Sequence, residues 1–224
     1  MQVVIPCKAF GSGKSRLSTC LESASRQELC KGLYVRTLDL AMRTFSRQQI
    51  CVVTNDENAI ALAQSLSIEC VIDPGRGLNE GLETARREML RATRAAGAML
   101  VLPIDLPYAD KQVISSFCES DKEIVIAPDE VRTGTNLLRI RARALKEFAF
   151  EFGEGSYARH LAQARAKGLS VETVTNWRLG FDVDGPAQYS RWMRCKAWEP
   201  RSCCRATPTV TRRHTATRWW HKPA

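Results

Sequence analysis

The sequence lacks several common signatures. It contains no run of roughly 18 or more apolar residues, which excludes an ordinary membrane-spanning helix. It opens directly on Met-Gln-Val-Val-Ile-Pro with no signal-peptide pattern, and a cytoplasmic location is the expectation. No two cysteines stand in a C-x-x-C spacing, although there are nine of them, scattered from Cys7 to Cys204. A metal-thiolate centre is therefore not expected. Cys7, Cys51 and Cys70 fall in or beside apolar runs and read as small buried hydrophobes, and Cys203 and Cys204 as incidental tail thiols. Neither phosphate-binding glycine pattern is complete. Gly13-Lys14-Ser15 has Lys8 where a Walker A loop needs glycine, and Gly11 and Gly13 are followed by Arg16 where G-x-G-x-x-G needs a third.

Charge of one sign is also missing from most of the chain. The formal net charge is +9, but nine of the basic residues lie at or beyond Arg191 against the single acid Glu199. The first 190 residues are close to neutral, so the basicity describes a tail and gives little reason to expect a nucleic-acid partner for the body. The 44% hydrophobic and 25% charged composition suits one soluble domain. We expect residues 1–192 to form that single domain. Residues 193–224, which hold Trp198, Trp219 and Trp220 and show no helical or strand period over 199–224, are expected to be a basic disordered extension.

What is present alternates between short apolar runs and helical patterns. Strands are predicted at Gln2 to Cys7, Gln49 to Thr54, Ser67 to Ile72, Ala98 to Leu102, Glu123 to Ala127, Leu137 to Ile140 and Leu169 to Thr175. Helices are predicted over Ser25 to Phe45, from Asn79 to about Ala96, over Asp110 to Cys118, after Ser156 and after Pro186. Asn55 and Asp56 read as caps of a helix through Ala59, Leu62 and Ala63. This alternation implies a three-layer α/β fold with a mainly parallel, mixed sheet and helices on both faces.

The chemistry-bearing residues gather where strands end. After the first strand, Lys8, Lys14 and Arg16 surround Gly11 and Gly13, a turn able to present backbone N–H groups and positive charge to a polyphosphate, or else a solvated basic loop. In Asp73-Pro-Gly-Arg-Gly-Leu-Asn79 the glycines Gly75 and Gly77 permit close approach of a flat ligand, and the Asn79 amide can pair with a purine edge, unless the segment is an ordinary turn. Asp105 follows the Ala98 to Leu102 strand between Pro103 and Pro107, in a ligand crevice or as a helix cap. Thr133, Thr135 and Asn136 offer donors to a small oxyanion or else decorate a turn, and Gly153, Gly155 and Ser156 open a helix whose N–H groups suit a phosphate or carboxylate. His160, one turn on, is either a packed histidine or a base. Asp182 and Asp184 place two carboxylates on one face of an extended segment. Either alone could cap the helix near Pro186, but with Asp105 they read as a Mg²⁺ site, because adjacent like charges need a neutralising cation.

Together the motifs VIPCKAFGSGKSRL, DPGRGLN, LPIDLP, GTN, FGEGS with His160, and FDVD resemble the guanylyltransferases of coenzyme F-420 biosynthesis, over residues 3 to about 190. These act on phosphoenolpyruvate, 3-phospho-D-glycerate or 2-phospho-L-lactate and have a nucleotide-diphospho-sugar transferase-like fold. The resemblance implies that Lys8, Lys14 and Arg16 meet the triphosphate of GTP, that Gly77 and Asn79 lie by the guanine, and that Thr135, Gly153 and Ser156 hold the acceptor. It further implies that Asp105, Asp182 and Asp184 hold Mg²⁺ and, with Lys14, act in catalysis. The implied partners are GTP and a small phosphorylated acid, with no membrane, and a homodimer is compatible with the sequence. The basic carboxyl-terminal extension has no counterpart in the family pattern.

Overall fold

A computed structural model describes residues 1–91, 97–197 and 211–214. The elements follow the order β1 (Gln2–Pro6), α1 (Ser23–Thr44), β2 (Ile50–Thr54), α2 (Glu57–Ser65), β3 (Glu69–Ile72), α3 (Leu78–Arg91), β4 (Ala98–Val101), α4 (Lys111–Cys118), β5 (Ile124–Pro128), β6 (Thr135–Arg141), α5 (Ala144–Glu147), α6 (Ser156–Ala166), β7 (Val171–Thr175), α7 (Trp177–Gly180), α8 (Pro186–Ala197) and β8 (Thr211–His214). They build one mixed sheet in the order β3-β2-β1-β4-β6-β5-β7-β8, with β6 and β8 antiparallel to the rest.

The central strands are apolar at nearly every position because both faces of the sheet are covered. Successive side chains leave a strand on opposite sides, so Val3 and Ile5 pack with Tyr34, Leu38, Ala59 and Phe117 under α1, α2 and α4. Val4 joins Leu82, Met89, Phe148 and Ala164 under α3, α5 and α6. The reversal at β6 is made by a hairpin that Asp129 organises. Its carboxylate accepts from the N–H groups of Thr133 at 2.7 Å and Gly134 at 2.9 Å. This turn brings the start of β6 to the edge where β1, β2, β3, β4, β5 and β7 end, so the loops carrying the motifs share one rim of the sheet.

Several boundaries differ from the sequence reading. The helix expected to reach Ala96 is described to Arg91, and residues 92–96 lie outside the described residues. Of the two residues expected to cap α2, Asp56 does so, accepting from the Ala59 N–H at 3.0 Å. Asn55 instead lines the cleft described below. The last helix continues past Trp192 to Ala197. Residues 211–214, expected to be disordered, pair as β8 along β7, which would otherwise leave a row of edge N–H and C=O groups unpaired. The other residues beyond Ala197 lie outside the described residues. Among the described residues no helix is long and apolar enough to cross a membrane.

Candidate active site

Over the ends of β1, β2, β3 and β4 lies a cleft of about 370 Å³, bounded by the 7–14 loop, Asn55, the Asp73–Leu78 turn, Asp105 and Asp184. The glycines of the first loop work differently from the sequence expectation. Gly13 has no left-handed backbone, and its role is close packing, since a Cβ there would stand 2.7 Å from the Cys30 Sγ of α1. The left-handed position is Lys14 itself, at φ 51°. That turn drops the Lys14 side chain, only 7% exposed, between two of the predicted aspartates. Its Nζ lies 2.9 Å from Asp105 Oδ2 and 3.7 Å from Asp184 Oδ1, and Arg16 holds the other oxygen of Asp184. Burial pulls the Lys14 ammonium down. The charge and hydrogen bond of Asp105, then the charges of Asp184 and Asp182, outweigh it and hold the pKa above the ordinary lysine value.

Asp105 caps no helix. Asp110 takes that role at α4, accepting from the Val113 N–H at 2.9 Å. The Val183 N–H donates to the Asp105 carbonyl at 3.0 Å, which fastens the Phe181–Asp184 segment beside the Asp105 loop while Val183 itself is buried. Asp182 is pushed up to about 6, first by burial and then by the charges of Asp105 and Asp184, against the pull of Lys14 and a hydrogen bond from Asn136. The three aspartates are thus neighbours, but Lys14 separates them. As they stand, no three Asp, Glu, His or Cys side chains among the described residues form a metal-holding group. What fits a cation is the donor chemistry: oxygen atoms only, crowded enough to shift a pKa, as hard divalent ions prefer.

Thr135, Gly153 and Ser156 do come together. The Ser156 Oγ accepts from the Thr135 N–H at 2.9 Å, and the Ser156 N–H donates to the Gly153 carbonyl at 3.1 Å. The Tyr157 N–H is likewise used, on the Thr133 carbonyl, so the first N–H groups of α6 are not all open as expected. His160 completes this cluster. Its Nε2 accepts from the Glu151 N–H at 3.0 Å, and a nitrogen that accepts carries no proton. The proton of the neutral ring is therefore on Nδ1, 2.9 Å from Thr135 Oγ1, which accepts it. Burial, then the Arg159 charge, lowers its pKa to about 4. Next to Thr135, the Asn136 Nδ2 donates to the carbonyls of Leu179 and Gly180 at 3.0 Å each, tying this cluster to the chain that leads into Asp182.

One expectation for the glycine turn changes. Gly75 and Gly77 take positive φ, 76° and 99°, and line the cleft as expected. Asn79 does not offer its amide to a ligand. Its Nδ2 donates to the Phe152 carbonyl at 3.1 Å and its Oδ1 accepts from the Phe152 N–H at 2.8 Å, clamping α3 to the Phe150–Gly155 loop. No local signal could have shown this, because the partner is 73 residues away. Lys8 lines the cleft, on the side of the 7–14 loop.

Residues 1–193 match the family model described as "Guanylyl transferase CofC like". The chain belongs to this CofC-like guanylyltransferase family. A phosphoenolpyruvate guanylyltransferase of Rubrobacter xylanophilus is 33% identical over 191 residues, covering 84% of this chain and 91% of that protein. A 2-phospho-L-lactate guanylyltransferase of Methanothermobacter thermautotrophicus is 30% identical over 184 residues, covering 81% and 78%. Among solved structures, a protein of Desulfovibrio desulfuricans G20 described as nucleotide-diphospho-sugar transferase-like superposes with TM-score 0.64 at 14% identity, covering 92% of each chain. A manganese complex of a Mycobacterium tuberculosis H37Rv protein does so with TM-score 0.53 at 15% identity, covering 87% of this chain and 98% of that one. The first of these likenesses bears out the nucleotide-diphospho-sugar transferase-like fold.

Proposed function

We propose that this CofC-like protein transfers GMP from GTP to a phosphorylated three-carbon acid, with phosphoenolpyruvate or 3-phospho-D-glycerate as the favoured acceptor, releasing diphosphate as a step of coenzyme F-420 biosynthesis. The observation that carries the reading is the cleft itself. Lys8, Lys14 and Arg16 stand at one mouth beside Asp105 and Asp184, with the Thr135, Gly153 and Ser156 cluster tied by Asn136 to the segment of Asp182. Both relatives named above are guanylyltransferases of small phosphorylated acids.

In this reading the acceptor's phosphate oxygen attacks the α-phosphorus of GTP in line, the new P–O bond forms and diphosphate leaves with its electron pair. A phosphate is already anionic near neutral pH, so no side chain has to remove a proton. That agrees with His160 being held neutral through both ring nitrogens. Lys8, Lys14 and Arg16 orient the triphosphate and neutralise the charge that develops on it. Thr135, Gly153 and Ser156 position the acceptor. Asp182, Asp184 and Asp105 would hold a divalent cation, Mg²⁺ in our reading, which when bound supplies charge neutralisation at the reacting phosphates.

The test is an assay of the purified protein with GTP, Mg²⁺ and each acid separately, with the product identified by mass. A dinucleotide-like GMP adduct of one three-carbon phospho acid, together with diphosphate, is the expected result. GTP binding with no diphosphate release from any acid would refute the transfer and leave a nucleotide-binding module.

A further inference from the structure

With Asn79 engaged by Phe152, the cleft needs another residue to read the base. Its loops follow the sheet order β3-β2-β1-β4, so the end of β3 stands about 14 Å across the rim from the end of β4, three strand spacings away. The basic residues and the paired acids sit over β1 and β4. Over β3 sits Asp73, which lines the cleft. Of the three acidic residues lining it, Asp105 and Asp184 are held by Lys14 and Arg16, whereas Asp73 makes no ion pair among the described residues.

Asp73 is also held in place. Its N–H donates to the Thr54 carbonyl at 3.0 Å, and its Oδ1 accepts from the Gly75 N–H at 2.8 Å. It packs on α3 where that helix carries Gly81, and a Cβ there would already touch Asp73 Oδ2 at 3.4 Å and Val53 Cγ1 at 3.3 Å. The carboxylate therefore lies close against the helix at Gly81. An ionised carboxylate has more than one lone pair on each oxygen, so Asp73, fixed by Gly75 and α3 and far from the phosphates, keeps acceptor capacity on both oxygens. Guanine is the common base whose pairing edge offers two adjacent donors, N1–H and the 2-amino group. Adenine and cytosine place a ring-nitrogen acceptor there, which a carboxylate repels.

We propose that Asp73 is the residue that selects guanine, accepting from N1–H and the 2-amino group of the bound nucleotide. This rests on GTP occupying the cleft, and it moves base recognition from Asn79 to the other end of the same turn. An asparagine at this place has one acceptor and one donor. That matches xanthine, which keeps N1–H but carries a carbonyl oxygen at position 2.

The experiment measures dissociation constants of GTP, ITP and XTP for the whole wild-type protein and for Asp73→Asn by calorimetry, apart from any turnover. Wild type is expected to bind GTP about 10- to 150-fold more tightly than XTP, and Asp73→Asn to invert that order, because one bidentate base contact discriminates by this factor. ITP, lacking the 2-amino group, should fall between the two in wild type. Gained XTP affinity cannot come from a misfolded variant. A variant that keeps the wild-type order GTP, ITP, XTP overturns the assignment while leaving GTP occupancy intact. Wild type binding none of the three overturns the reading of the cleft itself.

Discussion

Acidification to about pH 4.5 is expected to remove about 2.5 kcal/mol of folding stability through His160 alone. The ring is fully buried between Phe148 and Phe152, with Nε2 accepting from the Glu151 N–H and Nδ1 bonded to Thr135. Its folded pKa, about 4, lies below the ordinary histidine value. Below about pH 6.5 the unfolded chain therefore takes up a proton that the folded chain refuses. The unfolded state binding more protons means that stability falls as pH falls. This contribution is absent above pH 6.5, grows down to about pH 4 and is constant below it. The assay is urea unfolding of wild type and His160→Gln from pH 7.5 to 4.5. At the upper end the variant should be less stable by about 1–2 kcal/mol, from loss of one or both hydrogen bonds and of ring packing. That deficit should shrink or reverse as the pH falls, because glutamine does not titrate. A wild-type-to-variant gap that stays constant over the range would show that the folded histidine accepts a proton normally, and would refute the bonding pattern assigned to it.

Asp184→Ala is expected to abolish Mg²⁺-dependent diphosphate release from GTP plus acceptor; near-normal turnover would remove Asp184 from the cation site. Asn79→Ala should lower stability by about 1–3 kcal/mol, since the Phe152 N–H and carbonyl lose their partners, while leaving GTP affinity within about threefold. A selective loss of GTP affinity with unchanged stability would restore Asn79 to the base site. Gly13→Ala should be strongly destabilising, because its Cβ would meet Cys30 Sγ at 2.7 Å, and Cys30→Ala should relieve most of that loss in the double variant. Additive effects in the unfolding cycle would show that the two residues are not in contact.

The parts of the molecule legible in the sequence are those with local causes. Apolar runs at strand length gave β1, β2 and β4 within a residue or two, because strands covered on both faces must be apolar throughout. Asp182 and Asp184 were visible as a pair through their two-residue spacing. Asn79 differs from its sequence expectation because an amide near glycines suits a purine as well as it suits a distant backbone, and only the fold brings Phe152 to it. In the sequence Asp73 is only the first residue of a turn, and Gly81, which packs against it, stands at an ordinary helical position eight residues on. The β8 segment Thr-Arg-Arg-His has no apolar alternation, since its pairing comes from backbone groups offered by the edge of β7.

The failed Walker A pattern has a physical explanation in Lys14. A loop that cradles phosphate mainly with N–H groups needs glycine wherever the chain passes close to the ligand. Here the tight approach is toward α1, at Gly13 against Cys30, and the next residue takes the left-handed turn. For a lysine that conformation costs on the order of 1 kcal/mol. The turn places a buried ammonium between Asp105 and Asp184, whose charges hold it protonated despite the burial. Without that ammonium, Asp105, Asp182 and Asp184 would face one another with only Arg16, which is largely exposed, to offset them. The same side chain is then shared by two demands, the aspartates and an incoming triphosphate. A nucleotide that draws Lys14 toward its phosphates leaves the acids in need of another cation, so nucleotide and divalent ion should bind to this loop as a coupled pair.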